Sequence, residues 1–308
     1  MGLLQNGKWV DQWYDTSSTG GEFKRQDSSF RHQITDAGEF RAESGRYHLV
    51  VSLACPWAHR TLIFRRLKQL EDHIGITVVK PLMLENGWEF ADGGDDLYGL
   101  DFLYQLYLKG DPGYQGRVTV PVLWDKKTQA IVNNESADII RILNRAFDPL
   151  TGNTDDYYPE HLRERIDAVN QRVYDTINNG VYRAGFATRQ EAYEKAYGEL
   201  FASLDWIEAI LASQPYLVGD ALTEADWRLF TTLVRFDAVY HGHFKCNRSK
   251  LTEFPHISAY LRRLLDIPGV AATLNFHHIK SHYYGSHKTI NPTGIVPLGP
   301  DPVFAHRV

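Results

Sequence analysis

Of the two cysteines in this chain, one stands at a place where thiol chemistry is favoured. In VVSLACPWAHRTLIF (50–64) a run of β-formers stops at Cys55, proline follows at once, and a helical pattern begins. A residue at such a junction sits at or beside a helix N-cap, with Pro56 at the first helical position that proline favours. The first-turn amides lack intrahelical partners, and the helix dipole is positive at that end. Both stabilise a thiolate, and His59 and Arg60 add nearby cationic groups. Ala58 occupies the second-cysteine place of a C-x-x-C motif, so a sulfur-linked intermediate on Cys55 needs an external thiol to resolve it. The competing reading of Cys55 is a small buried hydrophobe.

Two further fragments bear on a ligand. In TVPVLWD, Pro121 interrupts a strand pattern and so marks an edge strand or a special turn. A cis Val120–Pro121 bond leaves the Val120 amide and carbonyl open to an extended peptide, but cis is the minority form and sequence does not decide it. After VNN, Glu135 and Ser136 open a helix, where amides and a hydroxyl suit a ligand carboxylate. Plain helix capping by Asn134 or Ser136 explains the same fragment. Cys246 lies near His241 and His243, yet the three fit no closed zinc pattern, and packed or solvated histidines are the reading adopted.

These residues need elements to hold them. YHLVVSLA reads as a buried strand, PWAHRTLIFRRLKQL as an amphipathic helix and GITVVKPLML as a second strand, which makes a β-α-β unit with parallel strands. An insertion of about 35 residues (82–116) follows, with a helix in DDLYGLDFLYQLYLKGD. RVTVPVLWDKKTQAIVNNES reads as a hairpin turning at Asp125, Lys126 and Lys127, and SADIIRILNRAF as a helix. Beyond a linker at 148–160 the pattern is helical through 161–290. There Thr223 and Asp226 form a capping-box pair, with Leu222 and Trp227 at the staple positions. The first 45 residues mix rings with Gly, Ser and charge, and predict an ordered but irregular arm that docks through its aromatics. The stretch SHYYGSHKTINPTGIVPLGPDPVF predicts an extended tail.

The 308-residue length suits two domains, and 43% apolar residues suffice for packed cores. Net charge is −5 without a basic block, which argues against nucleic-acid or anionic-membrane partners. No apolar run is long enough for a membrane helix, and MGLLQNGKWV has neither a secretory pattern nor the Ser or Thr that myristoylation wants at position 6. Two distant cysteines make no disulfide framework, so a reducing cytoplasm is expected.

ACPWAHR, the aromatic arm with GGEF, the insertion with ENGWEF and the tail HIKSHYYGSHKTINPTGIVPLGP together resemble the glutathionyl-hydroquinone reductases, the Xi-class glutathione transferases. That resemblance covers nearly the whole chain. It implies an α/β thioredoxin-like domain at 46–147 and an all-α domain at 161–290, flanked by an arm at 1–45 and a tail at 291–308. It implies Cys55 as nucleophile and glutathione bound by Trp88, Arg117, Val120, Glu135 and Ser136, with no metal. Val120 would pair with the cysteinyl part, and Glu135 and Ser136 would hold the γ-glutamyl end. Tyr182, Tyr240 and Tyr283 would line the hydroquinone pocket, with Tyr284 the alternative to its neighbour; the chain would be a homodimer. The implied reaction reduces glutathionyl-hydroquinones through a Cys55–glutathione mixed disulfide and releases oxidised glutathione. Its rivals are an Omega-like thiol transferase or dehydroascorbate reductase, and a non-catalytic assembly module.

Overall fold

The computed structural model describes residues 2–300. Its contacts form two compact units: residues through 13, 26–155 and 275–286 in the first, and 14–25, 156–274 and those from 287 on in the second. Neither unit follows chain order. The arm is shared between them.

In the first unit, Leu3–Gln5 (β1) and Lys8–Val10 (β2) form an antiparallel hairpin. This corrects the irregular arm expected above. Its turn is Asn6–Gly7, with φ of 52° and 71°. Those are the two left-handed positions of a type I′ turn, for which Asn-Gly is the strongest short-range signal. Three-residue strands are too short for a hydrophobic period to show.

The main sheet begins at Tyr47–Val51 (β3), buried at every position. Helix Pro56–Leu67 (α1) then leads to Gly75–Val78 (β4), which pairs with β3 in parallel, His48 opposite Gly75 and Val51 opposite Val78. The β-α-β unit is therefore as expected. The second strand is shorter than its apolar run, however, because Pro81 follows; Met83–Leu84 (β5) pairs separately with Gly87–Trp88 (β6). Helix Leu103–Gly110 (α2) lies in the expected insertion. The RVTVPVL run is divided too: Gly116–Arg117 (β7) joins β1, while Val122–Asp125 (β8) enters the main sheet, and the Val120–Pro121 bond between them is cis. Strand β8 pairs antiparallel with β3 and with Ala130–Asn133 (β9), giving the order β4-β3-β8-β9. Helix Ser136–Arg145 (α3) packs on α1, and a short helix Asp148–Thr151 (α4) follows.

The second unit is helical: Arg163–Val173 (α5), Gly180–Gly185 (α6), Gln190–Leu211 (α7), Glu224–Arg235 (α8) and Pro255–Leu265 (α9). Two π-helical turns, Tyr174–Asn178 and Phe236–Tyr240, interrupt the regular period. Helix α8 starts as its sequence predicts. The Thr223 amide donates to Asp226 Oδ2 at 2.8 Å, and the Asp226 amide donates back to the Thr223 carbonyl at 3.1 Å. Burial pushes the Asp226 carboxyl up to about 6.

Helix Phe276–Ser286 (α10) returns to the first unit, and it corrects the extended conformation expected of SHYYGS. The remainder of the described tail has no regular element, and 301–308 lie outside the described residues.

Candidate active site

Cys55 is the N-cap of α1, with φ −74° and ψ 123°. Its Sγ accepts from the Ala58 amide at 3.5 Å and donates to the Val120 carbonyl at 3.7 Å. The thiol is half-buried, so it borders both the helix terminus and solvent. Pro56 has no N–H to present at the first turn, and the Ala58 amide is the donor that points at sulfur. Negative charge on Sγ thus meets a donor and the positive end of the dipole.

Val120, 6% exposed, precedes the cis proline in the connection from β7 to β8. Its carbonyl faces the sulfur of Cys55, which ties the two expected residues together.

Glu135, rather than Asn134 or Ser136, caps α3: its Oε1 accepts from the Ala137 amide at 3.0 Å. The other carboxylate oxygen accepts from the Ser28 hydroxyl at 3.1 Å. Ser136 is buried, donates to Glu135 Oε1 at 3.4 Å and accepts from Arg60 Nη1 at 3.3 Å. Arg60 is itself buried in α1, with its guanidinium 4.6 Å from the Trp57 ring centre. Expected to contribute charge beside Cys55, Arg60 therefore links α1 to the start of α3.

Trp88 is buried and stacks on His282 of α10, 4.9 Å between centres at 22°. The His282 Nδ1–H donates to the Pro81 carbonyl at 3.0 Å, which fixes that ring. Arg117 reaches the arm: its guanidinium donates to the carbonyls of Gln12 and, at 3.1 Å, Trp13. It holds the arm down. Tyr283 is buried edge-on against His282, at 5.2 Å, whereas Tyr284 is half-buried.

Tyr182 and Tyr240 meet in the second unit, 6.1 Å between ring centres. Each also packs 5.5 Å from Phe244, whose ring is nearly parallel to that of Tyr240 at 16°. Phe186 and a buried His243–His287 pair, with Nε2 and Nδ1 3.1 Å apart, back this cluster. Burial pushes His243 down to about 4. Phe244 approaches so closely because residue 185 is glycine; a Cβ there would lie 2.2 Å from the ring. Cys246 is fully buried, its thiol pushed well above the ordinary range and donating to the Phe244 carbonyl at 3.7 Å. Among the described residues no three His, Cys, Asp or Glu side chains are grouped to hold a metal.

Sequence reading missed Ser28, Arg25, His282 and Gly185. Each acts through a partner distant in the chain, and local periodicity carries no such signal. A cleft of about 300 Å³ beside Arg141 and Arg145 of α3 is lined by none of the expected site residues.

Comparison with known proteins bears on the fold and the family. Residues 54–146 match the glutathione S-transferase N-terminal domain, and residues 190–263 the glutathione S-transferase C-terminal domain. The chain is 57% identical to the glutathionyl-hydroquinone reductase YqjG of Escherichia coli, covering 97% of this chain and 95% of that protein. It is 56% identical to the glutathionyl-hydroquinone reductase PcpF of Sphingobium chlorophenolicum, covering 97% and 96%. The glutathione-bound structure of YqjG superposes with a TM-score of 0.87, at 56% identity over 88% of this chain and 92% of that one. The Xi transferase of Phanerochaete chrysosporium superposes with a TM-score of 0.90, at 53% identity over 92% and 95%. Such identity over nearly the full length of both chains, on one shared fold, leaves a single assignment: this chain belongs to the glutathionyl-hydroquinone reductases, the Xi class of the glutathione transferases.

Proposed function

We propose that the protein reduces glutathionyl-hydroquinones to hydroquinones at the expense of a second glutathione. The observation that carries this reading is the sulfur of Cys55, capping α1 with the Ala58 amide 3.5 Å away and no second cysteine in the motif. A thiolate there takes glutathione from a conjugate and hands it to another thiol.

In the reaction, one hydroxyl of the conjugated ring becomes a carbonyl as a proton settles on the carbon that bears sulfur. Cys55 thiolate attacks the glutathione sulfur, and an S–S bond forms as the C–S bond breaks. The electron pair of that bond passes into the ring and onto the carbonyl oxygen, which takes a proton; hydroquinone leaves. A second glutathione attacks the mixed disulfide, releases oxidised glutathione and restores the thiolate. One conjugate and one glutathione give one hydroquinone and one oxidised glutathione.

The γ-glutamyl ammonium suits the Glu135 carboxylate, and its carboxylate suits Ser136 with the first amides of α3. Val120 offers backbone groups to the cysteinyl part. Trp88 and Arg117 border the same ligand, and Tyr182, Tyr240 and Tyr283 serve the ring with hydroxyls as well as faces. We further infer a cytoplasmic homodimer; among the described residues no helix is long and apolar enough to cross a membrane, and sedimentation velocity checks the dimer.

The test incubates the protein with a glutathionyl-hydroquinone and excess glutathione and follows products by chromatography. Hydroquinone and oxidised glutathione in equal amounts support the reading. Reduction of simple mixed disulfides with no hydroquinone released would replace it with an Omega-like thiol transferase.

A further inference from the structure

The segment 14–25 of the arm packs within the second unit, and it brings one cation to the aromatic cluster. Arg25 lies with its guanidinium carbon 4.9 Å from the centre of the Tyr182 ring. Its Nε donates to Asn179 Oδ1 at 3.0 Å. Asn179 precedes Tyr182 by three residues on the same helical run, so the cation is anchored to the backbone that carries the ring it covers. Around that ring stand Phe23, Phe186, Tyr240 and Phe244. The charged or titratable groups packed against Tyr182 include Arg25 from the arm and Tyr240 from its π-helical turn; His243 and His287 stand behind Phe186 and Phe244.

We propose that Arg25 is a positioning residue for the reductase reaction, fixing the Tyr182 ring and stabilising the charge its oxygen carries once its proton is given to substrate. The inference rests on the reading of Tyr182 as proton donor. When the C–S bond breaks, the electron pair reaches the ring oxygen of the substrate. The Tyr182 O–H gives its proton to that oxygen, its own electrons stay on the phenolate, and water restores the proton afterwards. A cation over a ring face is attracted to the neutral phenol and more strongly to the phenolate, and apolar neighbours strengthen the difference.

The experiment compares wild type with Arg25→Met, Arg25→Lys, Tyr182→Phe and the Arg25→Met/Tyr182→Phe double variant. Each is assayed across pH for hydroquinone release from a glutathionyl-hydroquinone, and for reduction of the mixed disulfide of glutathione and mercaptoethanol. The expected result is a loss of about tenfold in hydroquinone release for Arg25→Met, with the alkaline limb of its pH profile displaced upward. Lysine restores part of the rate, the double variant falls less than about twofold below Tyr182→Phe, and mixed-disulfide reduction stays within about twofold throughout. An unchanged rate and profile in Arg25→Met, or equal losses in both assays, overturns the role of Arg25 while leaving that of Tyr182 standing on its own variant. Full hydroquinone release by Tyr182→Phe overturns the reading of Tyr182 instead.

Discussion

Gly185→Ala is the sharpest test of how the tyrosine cluster is held. An alanine Cβ at this buried helical position would fall 2.2 Å from Cγ and Cδ1 of Phe244 and 2.7 Å from its Cβ. Ring rotation moves Cδ1 but leaves Phe244 Cβ where the backbone puts it, so either backbone or ring must shift by close to an ångström. Overpacking of this kind costs about 1–3 kcal/mol. Alanine returns about 1 kcal/mol of helix propensity over glycine, leaving a net loss of about 0–2 kcal/mol. The shift does not end at Phe244, because that ring stacks on Tyr240 and lies 5.5 Å from Tyr182. Urea unfolding should show a lowered midpoint with an unchanged slope. At concentrations where the variant is folded, hydroquinone release should fall by about tenfold, the cost of roughly 1.4 kcal/mol in positioning, while mixed-disulfide reduction is retained. A variant more stable than wild type with both activities intact would refute the contact and its bearing on the tyrosines.

Arg60→Met keeps much of the buried volume but removes the donor to Ser136, and it should raise KM for glutathione about tenfold with kcat within about twofold, measured by initial rates. His48 is buried, donates from Nε2 to Thr77 Oγ1 and is pushed down to about 4 by burial. Between that value and the unfolded 6.5 the unfolded chain binds the extra proton, so this contribution is complete above pH 6.5 and lost as pH falls through 4. It amounts to about 3 kcal/mol at most, and His48→Gln should show a smaller drop in urea midpoint between pH 7 and 4.5 than wild type.

The features legible in sequence were those whose signal is local. Cys55-Pro56 marked the start of α1, VNN-Glu135-Ser136 the start of α3, and Thr223 with Asp226 the cap of α8, because a helix terminus is satisfied by residues within one turn. The Asn6–Gly7 hairpin was equally local and was overlooked, since its strands are three residues long and its third strand, β7, comes from more than 100 residues away. Helix α10 was hidden by the Gly and Pro of the tail that follows it. The placing of Tyr240 on a π-helical turn escapes a 3.6-residue period altogether. Arg117 also holds the backbone of the arm, a long-range contact that spacing does not encode.

The central claim is that Cys55 carries glutathione during turnover. The direct measurement is intact-mass analysis after one equivalent of a glutathionyl-hydroquinone is mixed with enzyme in the absence of added glutathione, with released hydroquinone quantified in the same sample. One glutathione on the wild-type chain, one hydroquinone per adduct, discharge of the adduct by added glutathione, and neither product from Cys55→Ala is the expected outcome. Hydroquinone released by Cys55→Ala, or released by wild type with no adduct on Cys55, would contradict the account.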